Sequence, residues 1–247
     1  MNFNIDLHSH TIASSHAYST IGEYVAFAKS KGIVMFANTD HGPAVPDGAH
    51  RWHFGNLKVV PHIFDNVAVL RGIEANILES GQIDMDVPIL NQLDIVLAGL
   101  HPNQTPTDSD THTKLLIKVI KSGLVDVISH PGDIRYPYDE QAFLECAKEN
   151  NVAIEINSSS DVNSRFNSKE RCIRIGRMAA KIGNIISIGS DAHICHYLGN
   201  FENAIDTLEK AGIKEEQIIN RSAKSVLDFL SSRGHSNLQD IKNHFGL

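Results

Sequence analysis

Cysteine is scarce in this 247-residue chain: Cys146, Cys172 and Cys195 are odd in number and share no C-x-x-C spacing. That argues against a disulfide framework or a thiolate zinc knot. No stretch approaches the roughly 18 apolar residues of a membrane span, and no basic-then-apolar leader opens the chain, so a cytoplasmic location without a membrane partner is expected. Positive charge is short as well, with 22 Lys and Arg against 29 Asp and Glu, a net charge of -7 and no dense basic run. Broad electrostatic binding to duplex nucleic acid is therefore not expected, whereas short oligonucleotides stay open. Also absent are G-x-G-x-x-G after the first apolar run and G-x-x-x-x-G-K-[ST], the usual grounds for an open nucleotide-binding sheet. What remains is 42% hydrophobic and 21% charged, ordinary for a folded soluble protein, and its length fits one domain spanning 1–247.

Histidine is the residue in excess, with 14 copies, two of them one position apart in the opening segment IDLHSHT, residues 5–11. Short β-branched runs at 3–7, 33–38, 67–75, 94–100, 124–129, 152–157 and 185–190 predict seven strands. Helical patterns lie between them. Ile21, Tyr24, Val25 and Ala28 fall at i, i+3, i+4, i+7 behind a Thr20/Glu23 capping box. Phe201, Ala204, Ile205 and Leu208 repeat the spacing, with Asn200 as the expected N-cap and Gly212 just past the end, and a helix around 222–232 follows. Such β/α alternation implies a parallel sheet with helical crossovers. Without a nucleotide loop, a closed seven-stranded barrel is favoured over an open sheet. Segments 42–66 and 101–113 are too long for tight connections and carry Pro, Gly and Asp, as binding loops do.

Polar residues gather at the C-terminal ends of the predicted strands. His8 and His10 end the first, Asp40 and His41 the second, Glu74 the third, His101 the fourth, His130 the fifth, and Asp191 with His193 the seventh; His16 lies in the first loop. In a parallel barrel these ends open on one face, where barrel active sites are built. Neutral imidazole and carboxylate bind Zn²⁺ and similar ions, and residues i and i+2 of a strand share a side, so His8 and His10 can hold one ion together. A lone His-x-His pair is a weak sign. Seven histidines converging without metal would instead leave a crowd of polar rings seeking partners. Nine candidates exceed the needs of one four-coordinate ion. With Glu74 bridging they make roughly ten metal bonds against roughly twelve positions on three tetrahedral ions, which leaves a few for water or substrate. Three divalent ions offset by Glu74 and Asp191 leave a local charge of roughly +4, attractive to a phosphate dianion. Closely spaced metals lower the pKa of a bridging water and hold both oxygens of an in-line displacement. Hydrolysis of a phosphate monoester by a metal-bridging hydroxide uses all these parts.

Taken in order, DLHSHT, His16, NTDH, GIEAN, GLHP, ISHPG, EINSSS with SR at 164–165, and GSDAH resemble the PHP (polymerase and histidinol phosphatase) superfamily, in particular its YcdX-type phosphatases. The resemblance implies a distorted, TIM-like (β/α)7 barrel with a trinuclear zinc site. It places His8, His10, Glu74 and Asp191 on one ion, Glu74, His101 and His130 on a second, and His16, His41 and His193 on the third. Three Zn²⁺ per chain are expected, with Mn²⁺ or Fe²⁺ as alternatives because such sites follow availability as well as affinity. The implied enzyme is a hydrolase of phosphoric ester bonds acting on a small phosphorylated substrate, with Glu74 and Asp191 central to the reaction.

Asp40 either holds a metal ligand in place or donates a proton, against the ordinary role of a turn or cap residue. Arg135 and Arg165 follow strands and suit a bidentate grip on phosphate, Arg165 the better supported because SR belongs to the resemblance. Asn157 stands where other strands supply ligands. His50, Trp52, His53 and His62 are weighed as substrate contacts against plain packing; Cys195 and His196 are taken as neighbours of the site, and His112, His235 and His244 as surface residues. Competing functions are, within the superfamily, a nuclease or nucleotidase on short nucleic acids or nucleotides or histidinol phosphate hydrolysis, and, outside it, an amidohydrolase cleaving C–N bonds, which normally uses fewer histidines and often a modified lysine bridge. A zinc-storing scaffold ranks below these, and a homo-oligomer is left open.

Overall fold

The computed structural model describes residues 1–162 and 165–247; Asn163 and Ser164, the latter the serine of the SR pair, lie outside the described residues. Each of the seven predicted runs holds one strand: β1 (Ile5–Asp6), β2 (Met35–Asn38), β4 (Val67–Asn76), β5 (Ile95–Gly99), β6 (Val127–Ile128), β7 (Ala153–Asn157) and β8 (Ile186–Gly189), parallel and hydrogen-bonded in that order. An additional short strand, β3 (Ile63–Phe64), pairs antiparallel with the start of β4 inside the long second loop. Where β1 and β6 are shorter than their apolar runs, carboxylates take backbone donors instead. Asp6 accepts from the N–H of His8 (3.3 Å), and Asp126 from that of Val96 (2.8 Å).

Among the described residues, no regular ladder joins β1 to β8. The circle closes through a single bridge, Ser9 to Ala192, with the His10 N–H donating to Ala192 O (2.8 Å) and the Asp191 N–H to His8 O (3.0 Å). Buried Asp6 completes the seam by accepting from the N–H groups of Ser190 (3.0 Å) and Gly199 (2.8 Å). The result is a nearly closed, distorted barrel.

Strand alternation sorts the core into two layers. Ile5, Met35, Leu70, Ile95, Leu97 and Val127 fill the interior, where they meet Val226, Leu227 and Leu230 of α8 (Ala223–Ser232) and Ile241 of α9 (Gln239–His244). These last two helices plug the lower end of the barrel. The opposite parity, including Ile73, Val96, Ile128, Ile154 and Ile188, packs outward against α4 (Ser109–Lys121), α5 (Glu140–Glu149), α6 (Lys169–Ile182) and α7 (Glu202–Ala211). On the β2–β4 side the cover is α1 (Ile21–Lys31), through Tyr24, Val25 and Ala28. The Thr20/Glu23 capping box forms as expected, and Gly32 and Gly212 end α1 and α7 in left-handed conformations. Short helices α2 (Arg51–Asn56) and α3 (Val87–Leu90) lie in the loops flanking β3 and β4.

Three expectations need correction. Asn200 is not the cap of α7: Phe201 occupies that position without a side-chain bond, and Asn200 is exposed on the barrel's upper face. His112 is buried rather than superficial, since Nε2 accepts the Thr107 N–H (3.1 Å) while Nδ1 donates to Pro137 O (2.8 Å). His235 is half-buried, bonded to Asp126. Among the described residues, no helix is long and apolar enough to cross a membrane.

Candidate metal centre

Following the inward parity of each strand upward shows why the polar residues converge. Above Met35 and Ala37 come Thr39 and His41; above Ala68 and Leu70 comes Glu74; above Ile95 and Leu97 come Gly99 and His101; above Ala153 come Glu155 and Asn157. His130 departs from the inward parity of Val127 and adopts a positive φ of 31° that brings its ring to Glu74, whereas Asp191 keeps the inward parity of Ser187 and Gly189, also at positive φ, 57°. Left-handed backbone at non-glycine residues is uncommon and concentrates at functional sites.

Glu74 sits at the middle, fully buried. Its Oε1 lies 2.7 Å from His130 Nε2 and 3.1 Å from His101 Nε2; its Oε2 lies 3.0 Å from His41 Nδ1 and 3.3 Å from His8 Nε2. His10 Nε2 is 3.0 Å from His8 Nε2 and 3.1 Å from Asp191 Oδ1. Toward the rim, His16 Nε2 and His193 Nε2 approach to 2.8 Å. All nine predicted ligands therefore come together. Among the described residues, seven of the nine fall into three overlapping groups able to hold an ion, His8, His10 and Asp191; His41, Glu74 and His101; and His10, His41 and His193, with His130 beside Glu74 and His16 beside His193 outside them. His10 and His41 each belong to two of them.

Ring orientation tests whether this cluster suits metal ions. His8 Nδ1 meets Glu155 Oε1 (2.7 Å), His101 Nδ1 meets Asn76 Oδ1 (2.7 Å), His16 Nδ1 meets Asp47 Oδ2 (2.6 Å) and His193 Nδ1 meets Asp191 O (2.9 Å). Each partner accepts, so each Nδ1 carries the proton and each Nε2 presents a lone pair to the centre. Lone pairs then face one another across His16/His193, an arrangement that repels unless a cation lies between, while His10 Nε2 and His130 Nε2, opposite His8 and His101, also meet Asp191 Oδ1 (3.1 Å) and Glu74 Oε1 (2.7 Å). Buried His10 Nδ1 has no hydrogen-bond partner among the described residues, and His41 Nδ1 and Glu74 Oε2, though 3.0 Å apart, are not aligned as a hydrogen bond, which is costly for polar atoms.

Electrostatics agree. Burial works against charge on Glu74 and Asp191, yet His101, His8 and His130 around the first, and His8 and Arg165 beside the second, hold both well below the usual carboxylate range. Burial, reinforced by the neighbouring His41 and His193, keeps His10 well below the normal imidazole value, and His101 falls to about 4, chiefly through burial. Burial opposes charge on His8 and His41 too, but Glu155 and Glu74 hold His8 well above the normal imidazole value and Glu74 raises His41, so the buried carboxylates draw positive charge, which a bound cation would supply in place of ring protons.

Over this cluster opens a cleft of about 940 Å³, lined at its base by His16, His41, His101, Asp191 and His193. Arg165 reaches in from the β7 loop, pairs with Asp191 Oδ2 and keeps a buried Nε without a partner among the described residues. Arg135 also lines the cleft, held by Asp133, and Asn157 donates to Asp191 Oδ2 (3.2 Å). Asp40 is committed elsewhere. It accepts from Thr11 N–H (2.8 Å), Thr11 Oγ (2.7 Å) and Ser14 Oγ (2.8 Å) and faces His53 Nε2 at 3.2 Å, so it ties the loop bearing His16 to β2. Burial raises its pKa, but neighbouring His53 and the hydroxyl of Thr11 lower it to about 2, in keeping with a carboxylate that holds the loop in place.

Of the other second-loop residues, His50 caps α2 by accepting from Trp52 N–H (3.2 Å), Trp52 is exposed outside the cleft, and His62 is buried beside Asp94 and Arg71. Cys195 and His196 remain neighbours, 3.6 Å apart. Glu155 is the residue the sequence argument passed over, although an acid at inward parity in VAIEIN was a usable signal.

A family model described as PHP domain matches residues 6–229. A protein of Shewanella amazonensis named probable phosphatase is 48% identical over 247 residues, covering 99% of this chain and 98% of that one. One of Shewanella pealeana, with the same name, is 49% identical over 242 residues, covering 97% of each. Among solved structures, the histidinol phosphate phosphatase of Lactococcus lactis, crystallised with zinc, L-histidinol and phosphate, shares the fold at a TM-score of 0.58 and 14% identity, covering 85% of this chain and 94% of that one.

Proposed function

The chain belongs to the PHP domain family, and on that premise we propose that it is a metal-dependent phosphatase hydrolysing monoesters of small phosphorylated substrates at three divalent cations. The observation that carries this is the convergence of seven imidazoles on buried Glu74 and Asp191, four of them, His8, His16, His101 and His193, with Nδ1 anchored to an acceptor and Nε2 turned to the centre. His8, His10, Glu74 and Asp191 would hold one cation, Glu74, His101 and His130 a second, and His16, His41 and His193 the third, as zinc, manganese or iron(II). Such ions, when bound, lower the pKa of a coordinated water and neutralise charge developing on phosphoryl oxygens. We take 1–247 as one barrel unit, since α8 and α9 complete the interior core.

The chain's own groups do the rest. Arg165, fixed by Asp191 and with its Nε unbonded among the described residues, would donate to two phosphoryl oxygens and strengthen that grip as their charge grows. Glu155 and Asn76 hold His8 and His101 in register, and Asp40 holds the His16 loop against β2. Glu74 stands where an amidohydrolase often carries a modified lysine.

The test compares p-nitrophenyl phosphate with bis(p-nitrophenyl) phosphate on zinc-loaded protein. Preferential hydrolysis of the monoester, stopped by chelator and restored by zinc, is expected. Preference for the diester would turn the assignment to a nuclease, and inertness toward both would refute phosphoryl transfer.

A further inference from the structure

The cleft is larger than a phosphate needs. Sites of roughly 300–1,000 Å³ accommodate whole small molecules, so about 940 Å³ leaves space for a substantial leaving group. Two tyrosines stand out on its walls. Tyr18, two residues after His16, is 73% exposed, and Tyr197, four after His193, is 59% exposed; both line the cleft. The Tyr18 N–H donates to His193 O (2.7 Å), which ties one aromatic to the backbone of a rim imidazole, and Tyr197 closes a short turn, Cys195–Tyr197, donating its N–H to Ile194 O (3.0 Å). Neither hydroxyl has a hydrogen-bond partner among the described residues. Aromatic rings left in solvent beside a buried polar centre, accompanied by Val45, Pro46 and Ile194 on the same lining, form an apolar platform above it.

Charge narrows the ligand further. Among the described residues lining the cleft, the carboxylates are Asp47 and Asp191, and both are engaged, with His16 (2.6 Å) and with Arg165 and His10. A cationic amine on the leaving group would meet Arg135 and Arg165 on the same lining, against one carboxylate not paired with an arginine, Asp47, already bonded to His16. Asn200, exposed on the cleft and carrying no side-chain bond, offers instead an uncharged donor and acceptor.

Resting on the phosphatase reading, we propose that the preferred substrates are phosphate monoesters whose alcohol carries an uncharged planar aromatic ring, received by Tyr18 and Tyr197, and that monoesters of cationic amino alcohols are disfavoured. These two residues set specificity and take no part in the chemistry.

Calorimetry on zinc-loaded full-length protein tests this with three uncleavable probes: benzylphosphonate, cyclohexylmethylphosphonate and 2-aminoethylphosphonate. Benzylphosphonate is expected to bind about tenfold more tightly than the cyclohexylmethyl analogue, and more tightly still than the amine. The Tyr18→Ala/Tyr197→Ala double variant should lose the first preference, whereas Tyr18→Phe and Tyr197→Phe should retain it. Equal affinity for the two ring probes, absence of binding, tighter binding of the amine, or a ring preference that survives in the double alanine variant would overturn the proposal. Failure of the phosphatase reading has a different signature: ring preference intact, with aryl and benzyl monoesters left uncleaved.

Discussion

Glu74 carries more of the centre than any other side chain, because imidazoles of His8, His41, His101 and His130 approach its two oxygens. Glu74→Gln keeps the shape and removes the charge. Since a bound metal supplies several kcal/mol of charge stabilisation, the variant should lose at least about 100-fold in kcat/KM together with part of its zinc, both readable from p-nitrophenyl phosphate kinetics and elemental analysis. Glu155 acts one step back, through His8 Nδ1 and the His130 N–H (2.7 Å). Partners of this type cost roughly 10–100-fold in metal affinity when removed, and Glu155→Gln should show that weakening against a chromophoric chelator. At this scale the sequence exposed His and carboxylate residues through their identity and their place at run ends. It exposed Glu155, Asn76 and Asp47 poorly, since an acceptor behind a ring is defined by a contact across the fold rather than by local spacing.

Two strands of the wall end in glycine beside the centre. A Cβ at Gly189 would lie 2.5 Å from His8 Cβ, and one at Gly99 would lie 2.8 Å from His130 Cε1 and 3.1 Å from His101 Nε2. Gly189→Ala should therefore displace His8 and lower zinc affinity while leaving far-ultraviolet circular dichroism unchanged. A second element-scale prediction concerns the lower end, where His235 joins the segment between α8 and α9 to the barrel. Its Nδ1 faces Leu93 O (3.0 Å) and its Nε2 faces Asp126 Oδ2 (2.8 Å), so both nitrogens meet acceptors. Burial opposes the charged ring, but the hydrogen bond and charge of Asp126 prevail and raise its pKa. Because the folded value exceeds the unfolded one, the contribution is complete below about pH 6.5 and fades as pH rises through the folded value. Urea unfolding of His235→Asn against the parent should show a deficit of about 1.5 kcal/mol at pH 5.5 that narrows by pH 9. Strand positions and the Thr20/Glu23 start of α1 were legible from periodicity and capping chemistry. Strand β3 and the beginning of α7 were not, because β3 exists only by pairing with β4 and Asn200 turns to the cleft instead of capping.

At the scale of the whole molecule, β/α alternation implied the barrel, yet the way it closes was not visible in the sequence. The seam rests on one bridge at Ser9 and Ala192 and on the buried carboxylate of Asp6, contacts between residues more than 180 positions apart. His8 and His10 lie on one side of that seam and Asp191 and His193 on the other, so cations bound there would fasten the barrel as well as serve the reaction. Metal held at about 100-fold above its dissociation constant should raise Tm by at least roughly 5 °C over chelator-treated protein, read by scanning calorimetry. The central claim, three cations working together around Glu74, is tested most directly by adding zinc back to metal-depleted protein while following p-nitrophenyl phosphate hydrolysis. The account predicts activity that climbs with added zinc and levels off near three equivalents per chain; full activity at one equivalent, or in the depleted protein, would contradict it.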